Sequence, residues 1–118
     1  MNFLEDCLFC RKNENISIID TIPLCEGCCD TYQKTENKVE LIESHIKRER
    51  QEMDAARNNW GMRMYVLDHN GARHLFDTDE DCIFYKELAY YHLGRIKMLI
   101  NHPFVRLKYL FIEMKKGG

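Results

Sequence analysis

No stretch of this chain approaches the roughly 20 apolar residues that a membrane-spanning helix requires, which excludes an integral helical membrane protein. Nor does one sign of charge dominate: 17 lysines and arginines stand against 19 acids, for a formal net charge of -2. A whole-protein electrostatic case for nucleic acid therefore fails at the outset. A nucleotide-binding glycine loop, a Gly-x-Ser-x-Gly nucleophile elbow and a His-Glu-x-x-His pair are all missing, so most familiar enzyme classes lack a foothold. The opening Met1-Asn2-Phe3-Leu4-Glu5-Asp6 has neither the cationic start nor the apolar core of a signal peptide, and the expected location is the cytoplasm. There is no long internal repeat, low-complexity tract or long linker. At 118 residues, 45% hydrophobic and 31% charged, the chain reads as one compact functional unit of ordinary globular type.

What the chain does have is cysteine. Cys7-Leu8-Phe9-Cys10 and Cys25-Glu26-Gly27-Cys28 are two Cys-x-x-Cys pairs separated by 14 residues. A two-residue spacer lets a tight turn aim both thiolates of a pair at one ion, and two such turns complete the tetrahedral set that zinc prefers. Four cysteines close the coordination shell, leaving no position for water or substrate, so the metal is expected to fold the protein rather than catalyse. Two disulfides are the alternative, disfavoured in a reducing compartment. Cys29, directly after Cys28, is an alternative fourth ligand. Cys82 lies in an apolar helical pattern and reads as a small buried hydrophobe.

The expected fold is α+β and mainly helical: a four-cysteine zinc knuckle over residues 1–34, then a helical body over 35–118. Between the cysteine pairs Ile16, Ile18, Ile19 and Ile22 fit a short strand or hairpin leg. Val39, Ile42, Ile46, Met53, Ala56 and Trp60 form a narrow stripe on a helix from about residue 35 to 59, broken by Glu49. That stripe is expected to pack within the chain, with homodimerisation through 39–60 as the alternative. Asn58-Asn59-Trp60-Gly61 reads as its stop. Residues 62–76, centred on Asn70-Gly71, read as a β-hairpin. Asp77 or Thr78 is expected to begin a third element with an apolar face from Ile83 to Ile100. Asn101-His102-Pro103 interrupts it, and Phe104 to Met114 fits a last amphipathic helix, with a strand as runner-up. Residues 115–118 read as a frayed tail.

Three further sets carry weaker chemistry. Asp68-His69-Asn70-Gly71 and His92 suggest an HNH-type nuclease, with His69 as base and His92 on the metal side; as turn residues they need no reaction. The chain is accordingly expected not to be an enzyme. Arg95, Lys97, Arg106 and Lys108, with Lys115 and Lys116 beyond them, make a basic C-terminal face that would hold phosphates if the protein bound nucleic acid. His45 and His102 read as an exposed helix residue and a helix-end residue.

At Cys7-Leu8-Phe9-Cys10, at Ile22-Pro23-Leu24-Cys25-Glu26-Gly27-Cys28 and again at Asp81-Cys82-Ile83-Phe84-Tyr85-Lys86-Glu87-Leu88, the chain resembles the Gin family, the small zinc-knuckle inhibitors of sporulation sigma factors. The matching parts cover under half of the chain, and residues 35–76 intervene where the family joins them closely. The resemblance implies an anti-sigma activity in which zinc holds the fold and an apolar helical face occludes the sigma factor. The residues point independently to a regulator or inhibitor acting by protein contact, cellular or phage-encoded. Tyr90, Tyr91, Leu110 and Phe111 are the candidate contact residues.

Overall fold

The computed structural model describes residues 6–117, the side chain of Lys116 excepted. The leader reading on Met1 to Glu5, the Lys116 cation and Gly118 lie outside the described residues. The elements in order are β1 (Ser17–Ile19), β2 (Ile22–Leu24), α1 (Glu26–Lys34), α2 (Lys38–His69), a single 3-10 turn at Arg73–Leu75, α3 (Glu80–Ile100) and α4 (Pro103–Gly117). The chain divides into two compact units: residues 1–47 with 95–118, and residues 48–94.

In the first unit β1 and β2 pair antiparallel, Ser17 opposite Leu24 and Ile19 opposite Ile22. The two loop residues Asp20 and Thr21 have φ of +48° and +72°, the signature of a type I′ turn, whose twist matches the strands. A β-branched Thr in the left-handed region is strained, so other contacts must hold this turn. The buried side chains of Cys7, Leu8, Phe9, Ile22, Leu24, Tyr32, Ile42, Ile46, Leu99 and Val105 form one core. Ile22 is part of this core and Ile16 and Ile19 pack against it, whereas Ile18 is exposed; α1 and parts of α2, α3 and α4 complete it.

Each helix start has a visible cause. Asn37 caps α2, its Oδ1 accepting from the Glu40 backbone amide at 3.0 Å while its side-chain Nδ2 donates to the Glu40 carboxylate at 3.2 Å. Asp79 caps α3, accepting from the Cys82 amide at 3.0 Å. The cap is therefore Asp79 and the first helical residue Glu80, rather than a start at Asp77 or Thr78. Pro103 opens α4, where its missing N–H and fixed φ suit the first helical position. The segment after it is helical, not a strand, and runs through Gly117 in place of a tail frayed from residue 115.

The expected hairpin at 62–76 is absent, and so is the stop at Asn58 to Gly61. α2 continues through both to His69. The cause lies in periodicity. Ala56 and Leu67 are buried, with Trp60 and Met64 half-buried between them, so a 3.6-residue apolar rhythm persists beyond the breakers. One interior glycine costs only about 1 kcal/mol relative to alanine. Asn70-Gly71 ends this helix instead of turning a hairpin: Gly71 has φ +72°, its amide donates to the Asp68 carbonyl at 3.0 Å, and the Ala72 amide donates to the Leu67 carbonyl at 2.7 Å. That bond pair is a Schellman C-cap. An Asn-Gly step meets the same φ requirement in either setting, so the dipeptide alone could not distinguish them.

The second unit contains residues 48–69 of α2 and 80–94 of α3. Near the connecting turn the Arg63 guanidinium grips Asp79 through two bonds of 2.9 and 2.8 Å. This bidentate contact, then the Cys82 amide, holds the Asp79 carboxyl well below the usual carboxylate range.

Candidate metal centre

Cys7, Cys10, Cys25 and Cys28 converge so that their four sulfurs lie within 4.8 Å of one another. The Cys10 and Cys25 sulfurs are 3.5 Å apart, far beyond a covalent S–S bond of about 2.05 Å and close to the roughly 3.8 Å edge of a tetrahedron with metal–sulfur bonds of about 2.3 Å. The four thiols could therefore hold one metal ion, and a soft, closed, tetrahedral sulfur set fits zinc.

Local backbone explains the convergence. After Cys7 the chain folds back on itself: the Arg11 amide donates to the Cys7 carbonyl at 2.9 Å and the Cys7 amide to the Lys12 carbonyl at 2.7 Å, with Arg11 at φ +69°. The second pair is carried differently. Cys25 is the N-cap residue of α1 and Cys28 lies in its first turn, where amide groups and the helix dipole favour negative sulfur. The Leu8 amide donates to the Pro23 carbonyl at 2.8 Å, joining the two ligand turns through the hairpin.

The thiols ionise unequally. The Cys28 backbone amide, opposed by burial and helped by the neighbouring thiols, lowers Cys25 to about 7. Cys28 is pushed up, first by burial and then by the thiols of Cys25, Cys7 and Cys10. Cys10 is also raised, chiefly by burial. One thiolate forms readily and then opposes the next. A dication reverses that repulsion, which is why metal binding and deprotonation proceed together at such a set.

Cys29 is outside the cluster. It lines a shallow groove with Asn15, Ser17, Glu26 and Asp30, so the spacing-based choice of Cys28 agrees with the geometry. Cys82 is buried in the second unit, and desolvation raises its thiol.

Arg95, expected on a basic face, is instead 2% exposed and donates to the Leu8 carbonyl and, at 3.3 Å, to the Cys7 carbonyl. It holds the first ligand turn from α3. Lys108 pairs with Glu43 at 2.5 Å, which raises its ammonium pKa, while Lys97 and Arg106 are exposed. Tyr90, Leu110 and Phe111 are exposed and Tyr91 is half-buried. His69 stands in the last turn of α2, stacked on Tyr65 at 5.9 Å, on a helix where an HNH site places its base at the end of a strand. His45 stacks on Phe9 at 4.0 Å instead of standing free on a helix surface.

A second group was not foreseen. Glu49, Glu52 and His92, in the other unit, also bring ligand atoms within 4.8 Å. Their arrangement differs from that of the thiols. His92 Nδ1 lies 2.6 Å from Glu49 and Nε2 lies 3.5 Å from Glu52, so the carboxylates face opposite nitrogens of the ring instead of sharing one ion at one nitrogen. Arg48 meets the other Glu49 oxygen at 3.2 Å. This is a hydrogen-bonded group around buried Glu49, ion-paired through Arg48. Its one sequence signal was the acid at position 49 of the apolar stripe, where Glu49 is 0% exposed.

Comparison with protein-family models, curated proteins and solved structures finds no match to this chain.

Proposed function

We propose that this chain is a small zinc-stabilised regulator or inhibitor that works by contacting another protein. One observation carries the reading: the unit built on a coordinatively closed thiol cluster also bears a helix with an exposed apolar stripe. Val105 of α4 is buried, whereas Phe104, Leu107, Phe111 and Met114, spaced three and four apart on one face, are 45%, 60%, 61% and 67% exposed. Leu110 adjoins them at 54%. An amphipathic helix of this kind suits helix-in-groove recognition. A closed metal site meanwhile supplies structure and no reaction centre.

The resemblance to the Gin family makes a sigma factor the partner to test first, and a phage-encoded inhibitor of host transcription would present the same features. The test is paired. The double variant Leu107→Glu with Phe111→Glu keeps one zinc per chain and its helical circular dichroism, yet loses capture of, and inhibition of transcription by, a sigma-containing polymerase. Equal inhibition by wild type and variant would defeat this reading. Nucleic-acid binding is the lesser reading because Arg95 is buried and Lys108 is paired. Fluorescence anisotropy against duplex and single-stranded DNA is expected to show no strongly salt-dependent signal.

A further inference from the structure

We infer that a hydrogen-bond chain running from the exposed Asp20 through buried Tyr32 to buried His102 makes the order of α4 depend on metal occupancy of the cysteine cluster. The donors can be assigned from capacity alone. The Phe104 amide donates to His102 Nδ1 at 3.2 Å, so that nitrogen is the acceptor and the ring proton is on Nε2. Nε2–H then donates to the Tyr32 hydroxyl oxygen at 2.6 Å, and the Tyr32 O–H donates to the Asp20 carboxylate at 2.5 Å. This direction satisfies both ring nitrogens of His102 and the Tyr32 hydroxyl. Both Tyr32 and His102 are 0% exposed, so no water stands ready to replace a lost partner. Desolvation also lowers the His102 pKa, in keeping with a neutral ring.

The ends of this chain connect the metal ligands to the proposed contact helix. Tyr32 lies one helical turn beyond Cys28 on α1, the helix that Cys25 caps. Asp20 sits in the strained turn of the hairpin whose second strand runs directly into Cys25. His102 immediately precedes α4 and fixes its first free amide, that of Phe104. Removing the metal frees the first turn of α1 and the hairpin from their shared anchor. Tyr32 then leaves His102, whose buried Nε2–H loses its acceptor at a cost large enough to move the ring. The first turn of α4 is released with it. The role given to α4 rests on the reading above; the link itself does not.

Hydrogen exchange read by mass spectrometry on the full chain tests the link without any partner. Wild type is compared with zinc, after chelation, and as Tyr32→Phe, which keeps the ring against Phe9 but deletes the hydroxyl; His102→Leu cuts the same link from the α4 side. With one zinc still bound, both variants are expected to lose protection about tenfold at residues 104–108, toward the level of chelated wild type. Unchanged α4 protection in zinc-loaded Tyr32→Phe, or in chelated wild type, overturns the link. So does loss of zinc by both variants, which would make these residues part of the metal site's own support. Failure to inhibit a partner would defeat the contact reading and leave this link standing.

Discussion

The two units solve the same problem, satisfying buried polar groups within a small core, by different chemistry. Residues 1–47 with 95–118 gather four thiols that oppose one another's ionisation and need a cation to unite them. Residues 48–94 bury Glu49 against His92 and Arg48 and supply their own countercharge. The first unit is therefore expected to depend on an ion from outside, and the second to be complete as translated. The difference teaches that burial of ionisable groups marks a metal site only when the groups repel one another. Where a ring nitrogen or a guanidinium already answers each carboxylate oxygen, the simpler account is an ion pair.

Breaking the first unit should have the largest effect. Cys10→Ser removes one ligand from a metal whose binding contributes on the order of 10 kcal/mol to folding. Hydrogen exchange is expected to show lost protection in β1, β2 and α1 while residues 48–69 and 80–94 remain protected. Equal loss in both units would erase the contrast. Acid sharpens the same point, because protons compete for thiolates: zinc should leave as pH falls, and a colorimetric zinc indicator should register the release.

Breaking the second unit comes next. Glu49→Leu or His92→Leu alone strands a buried partner and should cost about 3–5 kcal/mol in urea unfolding, while the double leucine variant should recover most of that loss. Additive losses in the double variant would show that the pair does not act as a unit.

His102 gives a smaller, pH-dependent test. Burial lowers its pKa below the ordinary 6.5, so the unfolded chain takes up the proton first. Its contribution is full above about 6.5 and is lost as pH falls below that value. His102→Gln should therefore show a shallower decline in stability than wild type between pH 7.5 and 5.5. Parallel declines would contradict the neutral, donating ring. The smallest effect belongs to Gly71→Ala: no neighbour obstructs a Cβ there, so only the positive φ counts, for about 1 kcal/mol.

The cysteine cluster was legible in the sequence because a two-residue spacer is a local geometric device. The apolar phases of Ile42, Ile46 and Ala56 were legible for the same reason. The turn at Asp20-Thr21 was hidden, since Thr is a poor residue at positive φ and the bond that ties the turn down, from Tyr32 to Asp20, is not local. Asn70-Gly71 misled because a helix cap and a hairpin ask the same of the backbone. Arg95 looked like surface charge, for nothing local announces that a cation on α3 will meet the carbonyls of Cys7 and Leu8. His92 and Glu49, 43 positions apart, became a pair only once α2 and α3 were in place.

The central claim is that one ion bound by Cys7, Cys10, Cys25 and Cys28 holds the first unit together. Native mass spectrometry of untagged protein purified without chelator tests it most directly. The account predicts one zinc per chain, released on denaturation, with all six thiols reduced. A folded protein that carries no metal, or a mass four hydrogens light from two disulfides, would contradict it.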